Sequence, residues 1–459
     1  VSQADFIKKV KMLEADRDSL EDKISAESAG FYRQSKPVTL KEIEAAVPKD
    51  AALVEFAVYR PISPKTFEFA AEKQSDPTAV GKPRYVAYVI SQASVKRAEI
   101  GDAGEIDKMV DTFREALRDP KRSDVRQLAR RLDEKLMRPV RSLTGGASRL
   151  LLSPDGELNL MPFEALVDEK DRYLVENYSI SYLSSGRDLL RMKIKRESRG
   201  EPLIVANPTF GEPDNSLIAK VDLSAKRDRR PSVTTTRSIT DTYFAPLGAT
   251  AQEARSIQAQ FPGAKLLSGE QATETALKQA NAPSILHLAT HGFFLTEGEM
   301  SIGSGSQNRG ANGTAKIENP LLRSGLALAG ANEHRESADD GILTALEASG
   351  LNLWGTKLVV LSACDTGLGE VHTGEGVYGL RRSFQLAGAE SLVMSLWPVS
   401  DYVTRELMTG YYQNLKQGIG RSESLRRIQL EMLKKPATRH PFYWASFIES
   451  GDWTPLGVE

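Results

Sequence analysis

The chain opens on an amphipathic pattern. Phe6, Val10, Leu13, Leu20 and Ile24 recur at spacings of three, four and seven among charged residues, the period at which apolar side chains line one face of a helix. The first 48 residues therefore predict a helical segment, packed on a neighbour, on a partner or in a short coiled coil. The period then shortens. "ALVEFAVYR" and "RYVAYVIS" are β-rich runs separated by a polar loop and read as paired strands, followed by a long helix from about Glu105 to Leu136 interrupted near Pro120. "SRLLLSPDGELNLMPFEAL" adds a buried strand, a turn at Pro154-Asp155-Gly156 and a further element, and the basic stretch from Arg191 to Arg199 marks a boundary.

Beyond it the apolar runs become continuous: "EPLIVANP", "SILHLATHG", "SGLALAG", "KLVVLSACDTG" and "ESLVMSLWPVS", with helical stretches between them. Strands of that kind are covered on both faces, as in a largely parallel sheet flanked by helices. The expected organisation is a helical segment over 1–48, an α/β subdomain over 49–199 and a second α/β subdomain over 200–459. Gly211 to Phe244, rich in Lys, Arg, Ser and Thr, and Glu297 to Asn319, rich in Gly, Ser and Asn, read as long mobile loops.

Bulk properties narrow the function. With 60 Lys+Arg against 61 Asp+Glu in 459 residues, there is no global field to draw in nucleic acid or an anionic membrane. No apolar run approaches the roughly 18 to 20 residues needed to span a bilayer, and "VSQADFIKKVKML" lacks the apolar core of a signal peptide, so a soluble, cytoplasmic protein is expected. The chain begins with Val1 rather than Met, which suggests a processed or trimmed product whose upstream part is missing. A single cysteine excludes an internal disulfide framework and a CxxC site.

Two histidines four residues apart in "SILHLATHGFF" pose the question of chemistry. A zinc-protease helix would need a glutamate after the first histidine, where Leu288 stands. On a strand the two would lie roughly 13 Å apart, at about 3.3 Å per residue, and could not share a metal. His287 then reads as a core histidine with a hydrogen-bonded ring. His291 falls at the carboxyl end of the strand before Gly292, where open α/β sheets place reactive groups. Cys364 occupies the equivalent place after the apolar run Leu358 to Leu361. It is either inert packing or, if the strands are neighbours, a thiol beside its base. "GEGVYG", Gly374 to Gly379, matches a dinucleotide fingerprint, with Asp401 at a suitable distance, but Gly374 lies too far beyond Leu361 to form a tight strand-to-helix turn. A glycine-rich loop shaping a cleft near Cys364 is the better reading.

At this point the residues carry a resemblance. "ILHLATHGFF", "NPLLRSGLALAG", "DGILTALEASGLNLWGTKLVVLSACDTGLGE", "GEGVYGLRRSFQLAGAESLVMSLWPVSD" and "HPFYWASFIESGDW", together with "LLSPDGELNLMPFEAL" and "YLSSGRDLLR", resemble the CHAT-domain family, caspase-like proteins related to separases, over about 151–453. The resemblance implies a caspase-type sheet and, in active members, a cysteine endopeptidase with His291 and Cys364 as its dyad. It implies an oxyanion hole from the backbone N–H groups of Gly292 and Cys364. No metal or organic cofactor is implied, and the partner is a protein substrate. Tetratricopeptide (TPR) repeats upstream, or a partner protein, would control the activity. Catalytically silent relatives exist, so a caspase-like scaffold is the alternative. The first subdomain, whose "LLLSPDG" is similar to "LHLATHG" without the His or Cys, is expected to be a non-catalytic copy.

Separases carry an acidic residue in the matching "LW…D" segment, so the resemblance makes Asp401 a candidate for holding a basic substrate side chain, with Asp365 and Glu375 as substitutes. A helix cap at the start of "DYVTRELMTGYYQNL" would equally justify Asp401. The basic run Lys226 to Arg230 in a long loop is solvated surface or a target for self-cleavage.

Overall fold

A computed structural model describes residues 38–62, 80–92, 94–194, 196–212, 233–234, 242–294, 320–333, 339–363, 370–372 and 376–457. The chain divides into two compact units, Val1–Ala46 and Val47–Glu459. In the first, the short helix Leu40–Glu44 starts on a capping box in which Thr39 and Glu42 satisfy each other's backbone N–H groups. The amphipathic helix expected over residues 6 to 24 lies outside the described residues.

In the second unit eleven strands among the described residues form one sheet. In chain order they are β1 (Ala51–Tyr59), β2 (Arg84–Ser91), β3 (Ser94–Asp102), β4 (Arg149–Ser153), β5 (Ser179–Tyr182), β6 (Leu203–Pro208), β7 (Lys265–Gly269), β8 (Ile285–Ala289), β9 (Leu358–Leu361), β10 (Ser391–Ser395) and β11 (Phe447–Gly451). Their order across the sheet is β3-β2-β1-β4-β5-β11-β10-β9-β8-β6-β7. Two parallel blocks are visible in it. β1, β4, β5 and β11 run one way. β10, β9, β8, β6 and β7 run together, antiparallel to β11. The carboxyl ends of the two blocks therefore lie at opposite edges of the sheet. The mixed α/β fold with a large, mostly parallel sheet is the class that the sequence pattern predicts.

The continuous apolar runs become the fully buried strands β8, β9 and β10. They are covered by helices whose apolar residues recur at helical spacing. α1 (Ala103–Leu117) buries Ile106, Val110, Phe113 and Leu117. α2 (Val125–Arg141) buries Ala129, Leu132, Leu136 and Val140. The interruption expected near Pro120 is present: the first helix ends at Leu117 and the second begins at Val125. α3 (Thr250–Gln260) and α4 (Asp401–Lys416) pack together beside β6 and β8, and α5 (Arg421–Lys434) lies against α4 and β5.

One strand is placed differently from expectation. "SGLALAG" does not join the parallel sheet: Ser324–Ala327 is the centre of a small antiparallel sheet, between Gly292–Phe294 and Ile342–Thr344. Its backbone comes close to its neighbours. A Cβ at Gly325 would sit 2.7 Å from Phe293 Cζ and 2.8 Å from the Leu343 carbonyl oxygen, so only glycine fits there without a shift.

The seam between the strands of 49–199 and those of 200–459 is narrow. β5 and β11 pair at Tyr182 and Ser450, where the Ser450 hydroxyl donates to the Tyr182 carbonyl at 3.0 Å and accepts from the buried Arg381 at 3.2 Å. The strands of both expected subdomains, 49–199 and 200–459, belong to this one sheet.

Candidate active site

β8 leaves the sheet at Ala289, and the chain passes through Thr290 and His291 into the small antiparallel sheet. That change of direction holds His291 at the carboxyl edge of the second block, fully buried. Its ring packs against Phe210, at 5.2 Å and 35°, and Phe244, at 5.9 Å and 31°, whose own centroids are 6.0 Å apart, so the three rings form one cluster. Phe293, Ala327, Ala331 and Ile342 complete this satellite core.

The hydrogen bonding fixes which nitrogen carries the proton. Nε2 lies 2.7 Å from the Ala245 carbonyl oxygen, which can only accept, so Nε2 is the N–H and Nδ1 keeps its lone pair. Among the described residues Nδ1 has no hydrogen-bond partner. Burial among aromatic rings pushes the imidazole below its ordinary 6.5, with the Ala245 bond opposing that shift. At neutral pH the ring is a neutral base whose acceptor nitrogen is unpartnered among the described residues.

Asn332 holds the Ala245 segment in place. Its Oδ1 accepts from Phe244 N–H at 2.9 Å, and its Nδ2 donates to the carbonyls of Phe244 at 3.0 Å and Gly211 at 3.1 Å. Its own N–H donates to Phe210 O at 2.8 Å. One buried amide thereby ties together the backbones that present both flanking aromatic rings.

β9 is the parallel neighbour of β8, with Leu361 opposite Leu288 and Ser362 N–H donating to Leu288 O at 2.9 Å. The two strand ends are adjacent, as the dyad reading requires. Cys364 follows Ala363 directly and lies outside the described residues, as do Asp365 and Glu375. Thr290, His291, Ser362 and Ala363 line a cleft that is completed by Ser395, Trp397 and residues of α3 and α4. The Ser395 hydroxyl donates to the Ala363 carbonyl, and Trp397 Nε1 donates to Phe442 O at 3.0 Å, so this wall is pinned from behind.

The remaining candidates separate. His287 is fully buried in the core, its ring hydrogen-bonded through Nδ1 to the Tyr412 hydroxyl at 3.0 Å, with Nε2 3.1 Å from Glu253 Oε1. Asp401 is the first residue of α4, and Ser400 occupies the capping position without a side-chain cap bond; the cap expected of Asp401 therefore falls one residue earlier. Gly376–Tyr378 pairs with Glu370–His372 before the helix Leu380–Leu386, so the glycine-rich run supplies one strand of a small hairpin and does not follow a strand of the main sheet. At the opposite edge of the sheet, β4 ends at Ser153 and is followed by Asp155, whose carboxylate accepts from Val58 N–H at 2.8 Å and Gly156 N–H at 2.8 Å and serves the turn.

Sequence reasoning missed Ala245, Phe210, Phe244 and Asn332. Ala245 acts through its backbone, which no side-chain pattern reports. Phe244 stands at the end of a polar stretch that reads as loop, and its partners are distant in sequence.

Residues 126–452 match the family model of the CHAT domain. Among curated proteins, human tetratricopeptide repeat protein 28 is 27% identical over 318 residues, covering 67% of this chain and 12% of that protein. The mouse protein of the same name is 27% identical over 315 residues, 66% of this chain and 12% of its own length. The chain thus spans about an eighth of the curated relatives it matches. Similar solved structures include the Saccharomyces cerevisiae separase–securin complex, with TM-score 0.46 and 9% identity over 89% of this chain and 30% of that one. Another is the Arg-specific cysteine proteinase gingipain R, with TM-score 0.40 and 11% identity over 77% of this chain and 75% of that one.

Proposed function

The chain belongs to the CHAT-domain family, and from that premise we propose that it is a cysteine endopeptidase with Cys364 as nucleophile and His291 as its base. The observation that carries the reading is the state of His291. Its N–H is held by Ala245 O, its lone-pair nitrogen is unpartnered among the described residues, and its ring lines a cleft whose other wall ends at Ala363, one residue before the chain's single cysteine. One peptide unit spans about 3.8 Å, so the thiol is within a short reach of that wall.

In this reading His291 Nδ1 takes the thiol proton and the thiolate attacks the carbonyl carbon of the scissile peptide. The resulting imidazolium is steadied by the Ala245 carbonyl. The tetrahedral oxyanion is met by the N–H groups of Gly292 and Cys364. Antiparallel alternation supports the first donor. Ala327 N–H bonds to His291 O, making Gly292 and Leu326 a non-bonded pair whose N–H and C=O groups turn away from each other's strand. Nδ1–H then protonates the leaving amine, and water resolves the acyl-enzyme. The substrate is a protein cut after a basic residue, read by an acidic group of the cleft, for which Asp401, Asp365 and Glu375 are the candidates that the sequence supplies. Tetratricopeptide repeats outside this chain, or a partner protein, control access, and residues 49–199 act as the non-catalytic copy.

Iodoacetamide alkylation at neutral pH tests the reading. Cys364 should label stoichiometrically in the folded chain, and His291→Ala should slow it by about tenfold or more through loss of thiolate. Labelling that needs denaturant would mark the domain as a silent scaffold.

A further inference from the structure

The cleft beside His291 has apolar walls, formed by Leu247, Trp397, Pro398, Val399 and Phe447. Apart from His291, one ionisable side chain lines it among the described residues: Glu253, in the first turn of α3 and only 3% exposed. Its surroundings leave it short of partners. Oε1 lies 3.1 Å from His287 Nε2, yet the two are out of line for a hydrogen bond, and no other described group hydrogen-bonds to the carboxylate.

The group behind Glu253 is itself set. Tyr412 is fully buried and must place its hydroxyl proton, and its hydrogen-bond partner is His287 Nδ1 at 3.0 Å. With Nδ1 accepting, His287 keeps its proton on Nε2, the side towards Glu253. That arrangement holds one oxygen near the imidazole and leaves most of the carboxylate's roughly four acceptor sites unused. A carboxylate buried with so little compensation is costly by itself and is relieved by a cation. An apolar-walled cleft lined by such a group suits a side chain with an apolar stem and a cationic head.

We propose that Glu253 is the specificity-determining residue of this cleft, pairing with the guanidinium or ammonium of a basic residue before the scissile bond. The assignment of the cation to a peptide substrate rests on the peptidase reading; the affinity of the cleft for a cation does not. The role thereby falls on Glu253 in place of Asp401, Asp365 or Glu375.

The test uses the full chain carrying Cys364→Ala, so that binding is read without turnover. Fluorescent 4-aminobenzamidine is titrated in parallel with the neutral 4-aminobenzamide. The amidine should bind at least about tenfold more tightly than the amide, and Glu253→Gln should remove that difference, as loss of a charge-assisted hydrogen bond requires. Glu253→Asp, which keeps the charge on a shorter stem, should retain an intermediate preference, and it decides the matter if the Gln variant does not fold. Asp401→Asn should leave the preference intact. Equal binding of amidine and amide by the parent, or an unchanged preference in a folded Glu253→Gln chain, overturns the proposal. Peptide cleavage by the chain with Cys364 intact separates the two readings. Cutting after Arg or Lys that Glu253→Gln abolishes supports both. Cutting after apolar or acidic residues overturns this one alone. Absence of cutting with amidine binding preserved leaves Glu253 as the cation site and removes the peptidase.

Discussion

Replacing Glu449 by Gln should stabilise the chain at and above neutral pH and flatten its pH dependence. Glu449 lies on β11 beside the seam, fully buried, and among the described residues neither carboxylate oxygen makes a well-aligned hydrogen bond. Burial raises its pKa from 4.5 to about 8, against the opposing influence of the Ser181 hydroxyl and the Arg421 guanidinium. Between those two values the folded chain keeps a proton that the unfolded chain has released. The group's contribution is therefore present in full below 4.5 and is lost as pH rises through about 8. At about 1.4 kcal/mol per pH unit the interval corresponds to about 5 kcal/mol, a large part of the roughly 5 to 15 kcal/mol of a typical domain. Glu164, fully buried behind β5 and hydrogen-bonded to the Tyr182 hydroxyl at 2.7 Å, is raised to about 7 by burial and adds about 3 kcal/mol in the same direction. Urea unfolding at intervals from pH 5 to 8.5 reads both. The wild-type midpoint should fall steadily across the range, and Glu449→Gln should remove more than half of that fall while retaining the same volume. Parallel curves for the two chains, or a Gln variant weaker at every pH, would refute the claim that this carboxyl titrates in the fold.

Three further outcomes follow from the site. Cys364→Ala and His291→Ala should each abolish peptide cleavage without adding to one another, whereas His287→Ala should keep turnover and lower stability by about 1–3 kcal/mol through the orphaned Tyr412 hydroxyl, read by thermal unfolding and single-turnover kinetics. Because burial holds His291 below 6.5, kcat/KM should rise with pH through a midpoint under 6.5; the same depression contributes stability that is present above 6.5 and lost as pH falls. A midpoint above 6.5 in a pH–rate profile would contradict burial in the aromatic cluster as its cause. Asn332→Ala should lower kcat more than it raises KM and move that midpoint, since it frees the backbone that presents Phe244 and the Ala245 carbonyl.

The sequence disclosed what depends on short-range pattern. Unbroken apolar runs marked β6, β8, β9 and β10, because strands buried on both faces have no polar positions. The strand ends marked His291, since a histidine before glycine at the end of such a run has few other reasons to be there. β3 was hidden because its exposed positions are charged. β11 was hidden because "FIESG" carries two polar residues whose burial only the seam explains. Ser324–Ala327 looks apolar enough for the main sheet, but its length and Gly325 suit a small sheet packed on the histidine loop. Glu253 gave no signal at all. It is one glutamate in an ordinary amphipathic helix, and it becomes a candidate only when β8 and α4 place His287 and Tyr412 behind it.

The central claim is that this chain cuts proteins with Cys364 under the control of His291. Mapping of new protein N-termini after incubating a denatured-and-refolded or lysate-derived protein pool with the chain, against a Cys364→Ala control, tests it most directly. The account predicts N-termini that require Cys364, disappear with His291→Ala, and follow Arg or Lys. Identical N-termini in the wild-type and Cys364→Ala samples would contradict it.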